Sequence, residues 1–232
     1  MNPWVTLSEN TLVTLINRHG FTFRAAIGIA ASALPSLLRR LLSRARGDGG
    51  GGTHAVRDGA TIRLPQTDLT NVVSACLRAA GATEAHAAMS AESLVYADTR
   101  GIPSHGVNRA EFYAAELAAG LINGAASPTV TRDDGCCALV DGNNALGAVV
   151  STRAVELAFS KAREFGVGWV VCPGSNHCGA AGFWAEKALA CGMIGFSFTN
   201  TAPFMGMVPT GAYWREHARR GDRPHLLLRA GG

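Results

Sequence analysis

Residues 137–183 read CALVDGNNALGAVVSTRAVELAFSKAREFGVGWVVCPGSNHCGAAGF, and this stretch decides the architecture. Cys137–Val140 is a short apolar run closed by Asp141-Gly142, which predicts a strand and its turn. A helix follows, with Ser151 as its predicted cap and Gly166 as its stop after Phe165. Val167–Cys172 is a second β-type run. Ala180–Ala190 is predicted as a helix stopped by Gly192, and Met193–Phe198 as a third strand. Strand, helix, strand, helix, strand in that order signals an α/β layer.

Upstream, Leu69, Val72, Val73, Cys76 and Leu77 recur at helical spacing from Thr67, and Gly81 follows as a stop. Thr83 opens a second helix to about Asp98, and a third runs from about Val107 to Ala119, before Gly120. The fold class is therefore α/β, with N-terminal helices leading into the β-α-β-α-β layer.

Composition narrows the class. Of 232 residues, 47% are apolar, 16% are charged and 28 are glycine, which excludes a coiled coil and a disordered polyampholyte. The net charge of +4 is unevenly placed. Residues 1–63 hold eight Arg against three acids, and 213–232 hold five Arg against two acids. Residues 64–212, with eight basic and twelve acidic residues, are mildly acidic. A nucleic-acid binder would gather its basic residues on the folded part, so nucleic acid is not an expected partner.

Three segments are expected: a poorly ordered basic leader and linker over 1–63, the α/β domain over 64–212, and a divergent Arg-rich tail over 213–232. The apolar run Ala25–Leu38 contains Pro35 and is too short to span a bilayer, so no membrane is expected. Its six flanking Arg fit an organelle-targeting leader as well as an unconstrained extension. The expected location is cytoplasmic, or mitochondrial if the leader is a presequence. Gly47-Asp48-Gly49-Gly50-Gly51-Gly52 satisfies G-x-G-x-x-G, but no strand precedes it and no periodic helix follows, so it reads as a linker. The six cysteines form no CxxC, which suits a reduced compartment.

Two loops hold polar residues that a core would not choose. In Arg100-Gly101-Ile102-Pro103-Ser104-His105-Gly106-Val107-Asn108-Arg109, Pro103 and the glycines impose an irregular path that presents Ser104 and His105. Arg109, a turn into the next helix, can lean back over the loop, and Tyr113 shares its face. Guanidinium, phenol and hydroxyl together suit a carboxylate. The second loop, Cys172-Pro173-Gly174-Ser175-Asn176-His177-Cys178-Gly179-Ala180, joins a strand's carboxyl end to a helix, where open α/β sheets bind ligands. His177 there can act as a general acid or base. Thr199-Asn200-Thr201 repeats the arrangement after the third strand. Ser104 beside His105 suggests a hydrolase, but adjacent side chains rarely meet as nucleophile and base, and no G-x-S-x-G elbow exists. The His and Cys spacing matches no closed zinc site. Asp133 and Asp134 are expected in solvent.

Ala97-Asp98-Thr99-Arg100-Gly101-Ile102-Pro103-Ser104-His105-Gly106 with Arg109, Tyr113 and Gly120 closely resembles the malate/L-lactate dehydrogenase-like family, which is distinct from the Rossmann-type lactate and malate dehydrogenases. Val140-Asp141-Gly142, Gly147, Lys161-Ala162, Gly166-Val167-Gly168, Ser175–Ala181 and Thr199-Asn200-Thr201 continue the likeness in order, over about 66–212. The resemblance implies a non-Rossmann fold and hydride transfer between NAD or NADP and a 2-hydroxy or 2-keto acid, usually in a homodimer. It further implies His177 as proton acceptor, with Ser104, His105, Arg109 and Tyr113 lining the substrate and Thr201, beside Asn200, touching the cofactor. Spacing leaves open which of His105 and His177 is the base. Cys178 stands where the family more often shows an aromatic. Members run on well beyond Pro209-Thr210-Gly211, so the chain is expected to be a truncated, incomplete version of the fold. The alternative is a catalytically inactive fragment that acts by binding a partner or homologue.

Overall fold

The computed structural model describes residues 4–8, 56–58 and 61–200. They fall almost wholly in one compact unit ending at Ser197; a second unit begins at Phe198, and only residues 198–200 of it are described. The Ala25–Leu38 run, the Gly47–Gly52 stretch, Thr201 and the 213–232 tail lie outside the described residues.

The first layer opens with three short strands, β1 (Trp4–Ser8), β2 (Val56–Asp58) and β3 (Thr61–Pro65), antiparallel in the order β1-β3-β2. Two of them lie inside the segment expected to be leader and linker. Val5 pairs with Leu64, and both are buried at 1% exposure. A strand of five residues with its partners 53–61 positions away leaves no local signature, because its ladder is set by tertiary pairing.

Helix α1 (Gln66–Ala79) buries Leu69, Val72, Val73 and Leu77, the predicted stripe. Gly81 then takes φ +113°, a value side-chain-bearing residues rarely adopt. Helix α2 (Glu84–Thr99) starts where Thr83 Oγ1 accepts from the His86 amide at 3.3 Å. Its buried Ser90 and Ser93 donate to backbone carbonyls of their own helix, which leaves neither hydroxyl without a partner. The predicted third helix begins as two single 3-10 turns, Pro103–His105 and Val107–Arg109, before α3 (Ala110–Ala118). These pieces share one core with Val5, Leu64, Tyr113, Ile122, Leu146 and Val149.

The second sheet holds β4 (Thr129–Asp134), β5 (Cys137–Asp141) and β6 (Trp169–Val171) in that order. β4 and β5 form an antiparallel hairpin, and β5 runs parallel to β6 with α4 (Gly147–Phe165) as the crossover between them. β4 was not foreseen: all six of its residues are exposed, so it carries no apolar alternation. α4 begins at Gly147, four residues before the predicted cap Ser151. Residues 145–150 are buried and continue the helix upstream, so Ser151 is an interior position whose hydroxyl bonds the Cys178 thiol. Gly166 ends the helix at φ +81°, as expected.

The predicted helix over 180–190 is shorter. α5 (Ala181–Glu186) gives way to a 3-10 turn at Leu189–Cys191, and Gly192 stops it at φ +68°. Met193–Phe198 forms no strand. Its alternation of half-buried and exposed residues is strand-like, but a strand requires a hydrogen-bonding neighbour, which periodicity does not report. No helix among the described residues is long and apolar enough to cross a membrane.

Candidate active site

The 172–180 loop leaves the carboxyl end of β6 and is held along its length by the 141–147 segment. Gly142 N–H donates to the Pro173 carbonyl and Asn144 N–H to the Gly174 carbonyl, both at 2.9 Å. Asn176 Nδ2 donates to Asn144 Oδ1 and to the Ala145 carbonyl at 3.0 Å each. Asn143 and Asn144 sit at φ +50° and +57°, a conformation Asn tolerates better than other side chains. The N-terminus of α4 presses on the loop at Gly147, where a Cβ would strike the carbonyl oxygens of Asn176 and His177. These contacts place His177 by backbone constraint.

The 100–109 turn is anchored from beneath by Asp98, at the end of α2. Its Oδ2 accepts from the Val107 amide at 2.7 Å, and its carboxyl group fills the space where a side chain at Gly106 would go. Burial raises the Asp98 pKa to about 6, against the lowering effect of the Val107 hydrogen bond. Arg109 leans back as its helical direction requires, and its Nε donates to the Ser104 carbonyl at 2.6 Å. Ser104 Oγ lies 2.8 Å from His105 Nδ1. The adjacent pair therefore does meet within the 3-10 turn Pro103–His105.

The two loops converge. The His105 and His177 ring centroids are 5.3 Å apart, with the planes 33° from parallel. Tyr113, only 3% exposed, lies with its hydroxyl 2.5 Å from His177 Nδ1, and the Gly179 amide donates to the same nitrogen at 3.3 Å. Gly179 N–H also bonds the Tyr113 hydroxyl. A backbone amide can only donate, so Nδ1 is an acceptor and the Tyr113 hydroxyl donates to it. Enclosure lowers the His177 pKa, and the neighbouring His105 and Arg109 act electrostatically in the same direction. Burial raises the pKa of Tyr113, keeping the phenol protonated. The cluster thus joins imidazoles for proton transfer, a guanidinium for an anion, and a phenol that holds one imidazole.

Of the residues singled out from sequence, Ser104, His105, Arg109, Tyr113 and His177 lie in this cluster. Tyr113 is buried and reaches the cluster through its contact with the His177 ring. Asn200 is exposed, and its carbonyl accepts from Thr199 Oγ1 at 3.2 Å. Asp98, Asn144 and Asn176 carry structural tasks that the motif reading did not assign. Asp133 is not simply solvated: its carboxylate pairs with Lys161, a buried ammonium on α4 that also donates to the Gly135 carbonyl at 2.7 Å. Among the described residues no group of three or more His, Cys, Asp or Glu could hold a metal ion.

Known proteins resemble this chain in sequence and in fold. The malate dehydrogenase of Pyrococcus horikoshii is 40% identical over 154 residues, 66% of this chain and 42% of the relative. The ureidoglycolate dehydrogenase (NAD(+)) of Escherichia coli K12 is 33% identical over 150 residues, 65% of this chain and 42% of the relative. Among solved structures, the Pyrococcus horikoshii malate dehydrogenase superposes with a TM-score of 0.55 at 34% identity, covering 62% of this chain and 40% of that one. The sulfolactate dehydrogenase of Methanocaldococcus jannaschii gives a TM-score of 0.53 at 33% identity, covering 54% and 37%. The chain spans about two fifths of the length of these relatives. The malate/L-lactate dehydrogenase family matches over residues 64–215, and the chain belongs to that family.

Proposed function

We propose that the chain carries the proton-transfer and carboxylate-binding part of an NAD(P)-dependent 2-hydroxy acid dehydrogenase. The observation that supports this most directly is the 5.3 Å approach of the His105 and His177 rings beside the Arg109 turn. Oxidising a 2-hydroxy acid requires a base for the hydroxyl proton, a cation for the carboxylate and an acceptor for the hydride at C2. The cluster supplies the first two, and its side chains contain no hydride acceptor, so its chemistry fits a nicotinamide partner. NAD or NADP, when bound, accepts the hydride, and Asn200 and Thr201 are the residues we propose to touch it. Arg109 and Ser104 orient the acid, and the imidazole pair takes the hydroxyl proton. The substrate class is a small 2-hydroxy or 2-keto acid.

NADH and NADPH titrations followed by nicotinamide fluorescence, paired with turnover assays on small 2-hydroxy acids, test the reading. His177→Ala is expected to keep cofactor binding and to lose turnover by roughly 100-fold or more. Undiminished turnover in that variant would refute the role. A second reading, a fragment without turnover that binds a homologue or itself, is favoured by the exposed apolar residues Leu139, Val171 and Ile194. It predicts no turnover together with concentration-dependent association. The homodimer expected from the family belongs to this proposal as well.

A further inference from the structure

The junction of the β4–β5 turn with β5 carries two adjacent cysteines that the proposed dehydrogenase chemistry does not use. Cys136 is half-buried, Cys137 is exposed, and their sulfurs lie 3.8 Å apart. The turn is fixed from both sides. Lys161 donates to the Gly135 carbonyl, and the Cys136 carbonyl accepts the Trp169 amide at 2.9 Å. Gly135, at φ +51°, lets the chain reverse directly before the pair.

Adjacency determines what such a pair can do. Successive Cα atoms across a trans peptide are about 3.8 Å apart. Disulfides favour Cα separations of about 4.4–6.8 Å and sulfurs about 2 Å apart. A direct Cys136–Cys137 disulfide would therefore be strained and easily reduced, so the pair rests as a dithiol. A single atom bonded to both sulfurs meets no such constraint, because it spans them without bringing them to disulfide distance. The hydrogen bond with Cys136 raises the Cys137 pKa, which favours its thiol over a reactive thiolate. Among the other cysteines, burial raises the pKa of Cys76, Cys172 and Cys178, which marks these three as poorly reactive thiols.

We propose that Cys136 and Cys137 form a dithiol site for a monosubstituted trivalent arsenical. The reaction is a condensation without redox change. R–As(OH)2 and the two thiols give R–As(S-Cys136)(S-Cys137), each thiol proton leaving with one hydroxide as water. Two As–S bonds replace two As–O bonds, and arsenic stays trivalent. The second bond closes within one molecule, so the pair outcompetes any single thiol of the chain.

The test uses the full reduced chain and phenylarsine oxide. Free thiols are counted with a chromogenic disulfide, and fluorescence is followed through Trp169, which pairs with Cys137 in the β5–β6 register. The expected result is one arsenical bound per chain and two thiols lost, reversed by a small dithiol and not by an equal concentration of monothiol. Cys136→Ser and Cys137→Ser should each weaken binding by about 100-fold or more, whereas Cys172→Ser should not. Mass spectrometry of a digest should find the arsenic on the peptide that contains both residues. Arsenic on another peptide, or unchanged affinity in the Cys136→Ser, Cys137→Ser double variant, would overturn the proposal. Neither result touches the dehydrogenase reading, which uses other residues.

Discussion

Tyr113 shows how one buried side chain can govern a reactive one. Among the described residues its hydroxyl is the single side-chain donor found on His177 Nδ1, at 2.5 Å, and the Gly179 amide, donating to the same nitrogen, sets the direction of that bond. In Tyr113→Phe the imidazole keeps its place in the loop but loses the partner that fixes its ring. A buried hydrogen bond left unmade costs about 1–3 kcal/mol, so turnover should fall roughly ten-fold or more with little change in cofactor affinity. Equal kcat in Tyr113→Phe and the parent would show that the phenol does not hold the base. Asp98 gives a second test. Its pKa is raised from 3.8 to about 6, so the folded state binds the proton more tightly than the unfolded chain does. Its favourable contribution is then complete below about pH 4 and is lost as the pH rises through 6. The full difference amounts to about 3 kcal/mol, which solvent screening of the partly exposed carboxyl reduces to about 2 kcal/mol. Asp98→Asn keeps an oxygen for the Val107 amide and removes the titration. Urea denaturation between pH 4 and 7 should show the parent losing about that much relative to Asp98→Asn. Parallel curves would contradict this account.

At the scale of elements, the site depends on one helix end pressing on one loop. α4 starts at Gly147 because Leu146, Ala148 and Val150 are buried and draw the helix inward, and its first turn then lies against the His177 carbonyl. Gly147→Ala places a methyl group into two backbone carbonyls that cannot rotate away. Overpacking of this kind costs about 1–3 kcal/mol. Calorimetry should show the melting temperature falling by several degrees. Activity should fall further than stability alone explains, because the displaced atoms belong to the residue that carries the imidazole. A fully active, fully stable Gly147→Ala would mean that the loop relaxes without consequence. The helices α1, α2 and α4 were legible because their apolar stripes and their Gly81 and Gly166 stops are local signals. β4 and the start of α4 were not. β4 shows no buried face, and the true start of α4 is set by the loop it packs on, beyond the reach of capping rules.

Across the whole molecule, the second sheet is covered unevenly. α4 packs on the face that buries Ala138 and Val140, whereas Leu139 and Val171, paired in register on the other face, are 37% and 49% exposed. Parallel strands are ordinarily covered on both faces, so this surface carries a tendency to self-associate. Val171→Lys should leave thermal stability within about 0.5 kcal/mol and reduce light scattering at high protein concentration. Unchanged scattering would move the adhesive surface elsewhere. The amino-acid sequence by itself determined the helices, the β5-α4-β6 unit and the two loops where polar residues collect, because periodicity, glycine stops and proline act over a few neighbours. It equally carried the family likeness, which rests on ordered short motifs. Only the tertiary structure decided that Tyr113 bonds His177, that Asp98 and Gly147 hold the loops, and that Val5 joins the core from 59 positions before Leu64. Each of those is a contact between segments far apart in the chain, and its energy comes from surfaces and hydrogen-bond partners that no local pattern encodes.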